Sequence, residues 1–425
     1  MSQKNNPTDT ANLFLSVKEV QQRIINDIKA INGIEQVGIR QALGRILAQN
    51  VVATFDTPPC DNSAMDGYAF SSKELDSQAI KDGEQTAISL KVVGQSFAGH
   101  PYQGAIAKGE AIRIMTGAAV PSDVDTVVMQ EHTETPEEGL VNITTLPKAL
   151  ANVRKKGDDL STGHTFLSCG KKLSPTDLAF LATQGIPEVK VSRKIRVAFF
   201  STGDELRSIG ETLGEGDIYG SNRYSLYGLL KNLDVELIDM GVIPDDRQAI
   251  EAAFLSASEV TDAVITSGGV SVGEADYVKE TLEKLGQINF WKIAMKPGKP
   301  LAFGTLGKSL FFGLPGNPVA VIATFYQFVQ PALKRMKGQS IVLPLEIQVK
   351  TSELLKKRPG RTDFQRGILE QSESGEFTVR SAGMQASHVL TAMSQANCFI
   401  VLAAESGSVE AGKMVTVQPF EGLIA

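Results

Sequence analysis

The chain has 425 residues, of which 42% are hydrophobic and 21% charged, with a formal net charge of -6. At roughly 150 residues per domain, that length predicts roughly two to four domains, and the balance is that of a globular protein with sizeable cores. The negative total excludes a bulk pull toward nucleic acid or an anionic membrane, so any anion site must be a local gathering of Lys or Arg.

The first residues, MSQKNNPTDTANLFLSV, lack a basic segment followed by an apolar core, so a secretory signal is not expected. The longest apolar run, VAVIATFYQFV at 319–329, is too short for a bilayer and predicts a buried helix. Cys60, Cys169 and Cys398 are scattered and odd in number, which argues against a disulfide framework or a zinc knuckle. The 4 histidines form no HxxxH or Cys–His cluster, so transition-metal ligation is not expected either. A cytoplasmic setting is the expectation.

Along the chain, Val17, Val20, Ile24, Ile28 and Ile31 recur at helical spacing, with Asn32-Gly33 as the stop. A second short helix is predicted around Ile39–Leu47. From 51 to 145, the β-branched segments ISLKVVG, EAIRIMTG, DTVVMQE and GLVNITTL are divided by Gly and Pro, which predicts a small β-rich domain. SPTDLAFLATQG (174–185) reads as a capped helix in a connector. From 193, strands and helices alternate. RVAFF precedes a helix with Leu226, Leu229, Leu230 and Leu233 on one face; VELIDMGVI precedes PDDRQAIEAAFLSAS; DAVIT precedes a helix with Val278, Leu282 and Leu285 on one face. That alternation predicts a parallel sheet with its ligand at the carboxyl ends of the strands. After about 340, LPLEIQVK, FTVRSAG, NCFIVLAA and MVTVQPF predict a C-terminal barrel or sandwich.

Two strands of the alternating region end alike. AFFSTGDEL places Ser201, Thr202, Gly203, Asp204 and Glu205 at one end; AVITSGGVSVGEADY places Ser267, Gly268, Gly269, Ser271, Gly273, Glu274 and Asp276 at another. Glycines there let backbone N–H groups approach an anion closely, and hydroxyls add donors. Neither GxxxxGK[ST] nor a post-strand GxGxxG occurs, which disfavours the common nucleotide folds. Lys292, Lys296 and Lys299 crowd a Pro-Gly turn, and Pro315, Gly316 and Asn317 make another before a helix. Like charges so close repel one another unless an anion or carboxylates are near; a unit pair at about 4 Å is worth on the order of 4 kcal/mol near a surface. With Glu205, Asp245 or Asp246, and Asp276 nearby, the pattern suits a polyanion bridged by a hard cation such as Mg2+.

Taken in order, DNSAMDGYAF, RIMTGAAVP, RKKGDDL, FFSTGDEL, TSGGVSVGEADYV, WKIAMKPGKP and LPGNPVA resemble the molybdopterin molybdenumtransferase family, an architecture shared with the C-terminal part of gephyrin. The resemblance implies a multidomain α/β plus β chain. Residues 1–50 and 146–192 would form a connector domain and 51–145 a β-rich insert. Residues 193–338 would form a central parallel-sheet α/β domain that binds molybdopterin, and 339–425 a C-terminal β-barrel. It also implies an elongated homodimer with an active site shared between subunits. The implied substrates are molybdate and adenylylated molybdopterin, with Mg2+-dependent hydrolysis and AMP release. A molybdopterin adenylyltransferase and cofactor-accepting apoenzymes are implied partners, and neither nucleic acid nor membrane is.

Carried over by position, Glu205, Asp245 and Asp276 would be metal-proximal, and Lys292 and Lys296 would contact the anionic substrate. Asp61 and Thr116 would arrive from the other subunit. Arg154 and Asp159 match connector positions, and Ser387 and Arg366 are weaker matches in the barrel. Cys60 departs from the family pattern and reads as a small buried hydrophobe. The rival readings are a molybdopterin adenylyltransferase, whose single domain leaves the flanking segments unexplained, a non-catalytic scaffold of the same fold, and an unrelated phosphohydrolase.

Overall fold

A computed structural model describes residues 14–76, 87–268, 277–340 and 342–420. The described residues fall into two compact units: the chain up to 48 with 170–174 and 189 onward, and 49–169 with 175–188.

In the first unit, helix α1 (Val17–Asp27) starts at a reciprocal cap. The Ser16 hydroxyl accepts from the Glu19 N–H at 3.2 Å, while the Glu19 carboxylate takes the Ser16 N–H at 2.8 Å. Val17, Val20 and Ile24 are buried, and so is Ile28, but the helix stops at Asp27 rather than running on to Ile31. The Ile31 N–H donates to the Met336 carbonyl at 2.9 Å, so a tertiary bond takes the backbone that helical spacing alone would have kept. The predicted second helix shrinks to one 3-10 turn, Ile39–Ala42, because Ile46 and Leu47 bridge to Lys172 and Val191.

The second unit holds strands β1 (Gly67–Phe70), β2 (Ile88–Ser96), β3 (Glu110–Ile114), β4 (Thr126–Met129), β5 (Thr133–Glu134) and β6 (Leu140–Ile143), paired in the order β4-β1-β3-β2-β6-β5. Alternation buries Tyr68, Phe70 and Val128 on one face and Ala69, Ile112 and Val127 on the other. Helix α2 (Pro175–Thr183) completes the unit.

The first unit continues with β7 (Arg196–Thr202), α3 (Ser221–Asn232), β8 (Glu236–Ile243), α4 (Arg247–Val260), β9 (Ala263–Ser267), α5 (Tyr277–Leu285), β10 (Gly286–Lys292), β11 (Pro300–Leu306) and β12 (Ser309–Leu314). The sheet order is β8-β7-β9-β12-β11-β10. The first four strands are parallel, and β11 and β10 fold back as an antiparallel edge. Both faces are covered, which is why RVAFF is continuously apolar: Val197 and Phe199 pack on one side, Ala198 and Phe200 on the other. The chain leaves β7 toward β8 and returns to β9 on its opposite flank, so β7 and β9 form the switch point of the sheet. The apolar run after β12 is α6 (Pro318–Thr324), a π-helical stretch (Phe325–Val329) and α7 (Gln330–Met336).

The closing strands are β13 (Ile347–Thr351), β14 (Thr362–Gln371), β15 (Phe377–Ser381), β16 (Cys398–Leu402) and β17 (Met414–Pro419). Pairing runs β14-β15-β13-β17-β16 and back to β14, a closed barrel. Met295 and Lys296 add in parallel beside Thr362 and Asp363, tying the lysine loop to the barrel.

Candidate active site

At the switch point, Ser201 and Ser267 stand in register and their hydroxyls meet at 2.7 Å. The Gly268 N–H donates to the Leu314 carbonyl at 3.2 Å, which joins the ends of β9 and β12. Gly268 has φ +91, and a Cβ there would sit 2.8 Å from the Thr202 carbonyl, so the crossing tolerates only glycine. Thr202 Oγ1 and Thr266 Oγ1 are buried at these ends without a hydrogen-bond partner among the described residues. Gly269, Ser271, Gly273, Glu274 and Asp276 lie outside the described residues.

Beside Gly268 opens a cleft of about 500 Å³, lined by Lys296, Lys299, Gly316, Asn317, Arg361 and Ser387 among others. Its floor is the buried Pro297-Gly298 turn. A Cβ at Gly298, where φ is +101, would lie 2.6 Å from Thr324 Oγ1, so that turn also requires glycine. The flanking Lys296 and Lys299 are exposed; Lys296 Nζ is 3.9 Å from Asp363, and Lys299 Nζ lies 5.1 Å over the Phe14 ring. Asn222 donates to the Gly316 carbonyl at 2.7 Å and steadies the turn before α6. The predicted Pro315, Gly316, Asn317, Gly268, Lys296 and Ser387 thus share one cleft. Lys292, at the end of β10, is not among the residues lining it.

Sequence reasoning missed Arg361 and Gln385 in this lining. Arg361 follows Pro359-Gly360, the same turn chemistry that carries Lys299, which is the signal that could have found it. Gln385 is held by Arg366, which is 1% exposed. The Arg366 N–H donates to Gln385 Oε1 at 2.8 Å, and its guanidinium spans the Met384 and Ala386 carbonyls at 3.2 Å each. Burial lowers the Arg366 pKa. Arg366 therefore shapes the loop whose Ser387 carbonyl takes the Val319 N–H of α6 at 3.2 Å.

Acidic groups gather on the other flank of β7. The Glu205 carboxylate folds over Gly203, where a Cβ would meet Glu205 Oε2 at 2.5 Å. Asp204 Oδ1 accepts the Asp245 N–H at 3.1 Å. Partial desolvation, then the charges of Asp204 and Glu205, raise the Asp245 carboxyl above the usual carboxylate range. Asp246 instead caps α4, accepting the Ala249 N–H at 2.9 Å. Among the described residues no group of three or more His, Cys, Asp or Glu is spaced to cage a metal ion.

In the second unit, Asp61 accepts from Lys155 Nζ at 2.8 Å and from the Lys156 N–H at 2.9 Å, and the Lys155 bond above all holds its pKa low. Arg154 pairs with Asn62 in a short antiparallel ladder, and the Asp159 N–H donates to Thr57. Thr116 is tied to Asp66 through its N–H and its hydroxyl, each at 2.7 Å. Cys60 corrects its expectation: it is exposed. The Thr57–Leu160 bridge on one side and Asp61 on the other pin the chain and leave Cys60 on the outer edge of the loop.

Comparison with known proteins decides the family. Family models match end to end: "MoeA N-terminal region (domain I and II)" over 15–185, "Probable molybdopterin binding domain" over 198–335, and "MoeA C-terminal region (domain IV)" over 348–420. A molybdopterin molybdenumtransferase of Haemophilus influenzae is 43% identical over 412 residues, covering 97% of this chain and 100% of the relative. The chain belongs to the molybdopterin molybdenumtransferase family. A relative of the same name from Nostoc sp. is 37% identical over 96% of this chain and 92% of its own length. A crystal structure of the molybdopterin biosynthesis moeA protein from Pyrococcus horikoshii superposes with a TM-score of 0.83 at 27% identity, covering 96% of this chain and 100% of that one.

Proposed function

We propose that this chain is a molybdenum insertase, a transferase that places molybdate into the dithiolene of adenylylated molybdopterin with release of AMP. The observation that carries the reading is the cleft where Lys296, Lys299 and Arg361 gather over glycine-tight strand ends. Such a cleft suits a dianionic oxyanion beside a phosphoanhydride, because cations already in place stabilise developing charge without reorganising. Orphaned Thr202 and Thr266 hydroxyls at the same ends supply further hydrogen-bonding groups.

The donor set also fits Mg2+. Glu205 and Asp245 are hard oxygen donors whose mutual repulsion a cation relieves, and Mg2+ takes one or two carboxylates with the rest of its shell from water and phosphate. These two, with Asp276, would hold it, and when bound it supplies charge neutralisation to the phosphoanhydride. Lys296 binds the oxyanion; Arg366, through Gln385 and the 384–387 loop, orients the cleft wall. In this reading the protein is a cytoplasmic homodimer, Asp61, Thr116, Arg154 and Asp159 complete the partner's site, and the four-part division at 50, 145, 192 and 338 holds. It receives substrate from an adenylyltransferase and passes cofactor to apoenzymes. No described helix is long and apolar enough to cross a membrane.

The test is to mix purified protein with adenylylated molybdopterin, Mg2+ and molybdate, then follow AMP and the reconstitution of a molybdenum-free apoenzyme. AMP and active cofactor, both dependent on molybdate, are expected. Adenylylation of molybdopterin from ATP, or tight binding without turnover, would replace the insertase with the adenylyltransferase or the scaffold.

A further inference from the structure

The Thr116 hydroxyl has a fixed polarity. Its oxygen and its backbone N–H both lie 2.7 Å from the same atom, Oδ1 of Asp66. The Thr116 N–H first, its hydroxyl second and the charge of Arg113 hold the Asp66 carboxyl below the usual range, so Asp66 has no proton to donate. The hydroxyl proton therefore points at Asp66, and only lone pairs are left for anything else that Thr116 meets. Thr116 is exposed, in a turn closed by Gly117 N–H to the Ser63 carbonyl at 2.8 Å and Ala118 N–H to the Met115 carbonyl at 3.0 Å. Asp61 differs, because both of its oxygens are already engaged by Lys155 and Lys156.

We propose that Thr116 recognises an N–H-bearing heterocycle by accepting its hydrogen bond, and that Asp66 is the positioning residue that sets this polarity. The inference rests on the insertase reading and deepens it. Molybdate and ionised phosphate offer only acceptors, so lone pairs facing them repel. An amino-bearing heterocycle edge offers donors and complements them. The proposed substrate has two such edges, the pterin and the adenine, and they share this chemistry.

The experiment measures, by calorimetry on the full chain, the binding of a soluble pterin, AMP, molybdate, pyrophosphate and Mg2+ separately. Thr116→Val and Asp66→Ala are expected to weaken pterin or AMP roughly five- to ten-fold, the worth of one hydrogen bond. Molybdate, pyrophosphate and Mg2+ are expected to bind as before. Thr116→Ser and Asp66→Asn keep the donor and the acceptor, and are expected to restore affinity. Whichever heterocycle loses affinity identifies the edge that is read. Loss of oxyanion or Mg2+ affinity, unchanged binding of every ligand, or a wild type that binds neither heterocycle would overturn the proposal. Thermal unfolding of each variant separates these results from misfolding. The two readings fail separately: a wild type without molybdate-dependent AMP release sinks the insertase, whereas heterocycle loss in Thr116→Val sustains the Thr116 inference on its own.

Discussion

In the second unit, Asp56, Asp61 and Asp66 each accept a backbone N–H and a side-chain donor, and each has its pKa lowered as a result. In the first unit, Asp204, Glu205 and Asp245 crowd one strand end, and Asp245 is raised instead. One set of carboxylates is spent on ordering loops. The other is crowded at one strand end, where partial desolvation and the charges of Asp204 and Glu205 act on Asp245. The contrast teaches that carboxylates of one residue type differ in whether neighbouring donors already satisfy their charge.

The largest effect that sharpens this contrast belongs to Lys296. Lys296→Ala is expected to cut molybdate-dependent AMP release by about 100-fold or more, as removal of a preorganised stabilising group does; an equal loss in Lys292→Ala, which lies off the cleft, would break the assignment. Next, Arg366→Leu removes the guanidinium that bonds the Met384 and Ala386 carbonyls. It is expected to lower stability by about 1–3 kcal/mol in urea unfolding and to weaken molybdate binding through the displaced Ser387 loop. Unfolding at unchanged molybdate affinity would confine Arg366 to the barrel.

A smaller effect, of opposite sign in the two units, follows from pH. Asp245 has a raised folded pKa, so its contribution is present below the ordinary Asp value and lost as pH rises through the folded one. Asp245→Asn is therefore expected to raise Tm modestly at neutral pH, with the gain vanishing in acid and shrinking when Mg2+ is added. The smallest effect is that of Asp61→Asn. Its folded pKa is lowered, so its stability is present above the ordinary value and lost as pH falls through the folded one. Given the exposure of the Lys155 pair, the cost at neutral pH is expected to be under about 1 kcal/mol, and a larger loss in urea unfolding would show the loop to be more tightly coupled.

Much of the fold was legible. RVAFF, DAVIT and the helices carrying Leu226, Leu230, Val278 and Leu282 stand where their spacing predicts, because each buries one continuous apolar face. The strand most easily overlooked is β14, TDFQRGILEQ, which reads as polar. Asp363, Phe364, Gln365, Arg366 and Gly367 are all buried, so β14 breaks the alternation that marks a strand. It is also the strand that shapes the cleft, and local patterning is commonly violated where a fold builds a site. Gln385 was illegible for the same reason: its partner Arg366 is 19 residues away in sequence.

The sequence by itself determined the family, the α/β alternation and the residue types of an anion site, since each rests on short-range pattern. Glycine at 268 and 298 and lysine at 296 and 299 are local facts. Only the tertiary structure decided that Lys296, Arg361 and Ser387 share one wall, that Asp245 joins the acidic group of Asp204 and Glu205, and that Thr116 presents only lone pairs. Those outcomes depend on which distant groups approach within hydrogen-bonding range, and chain spacing carries no record of that distance.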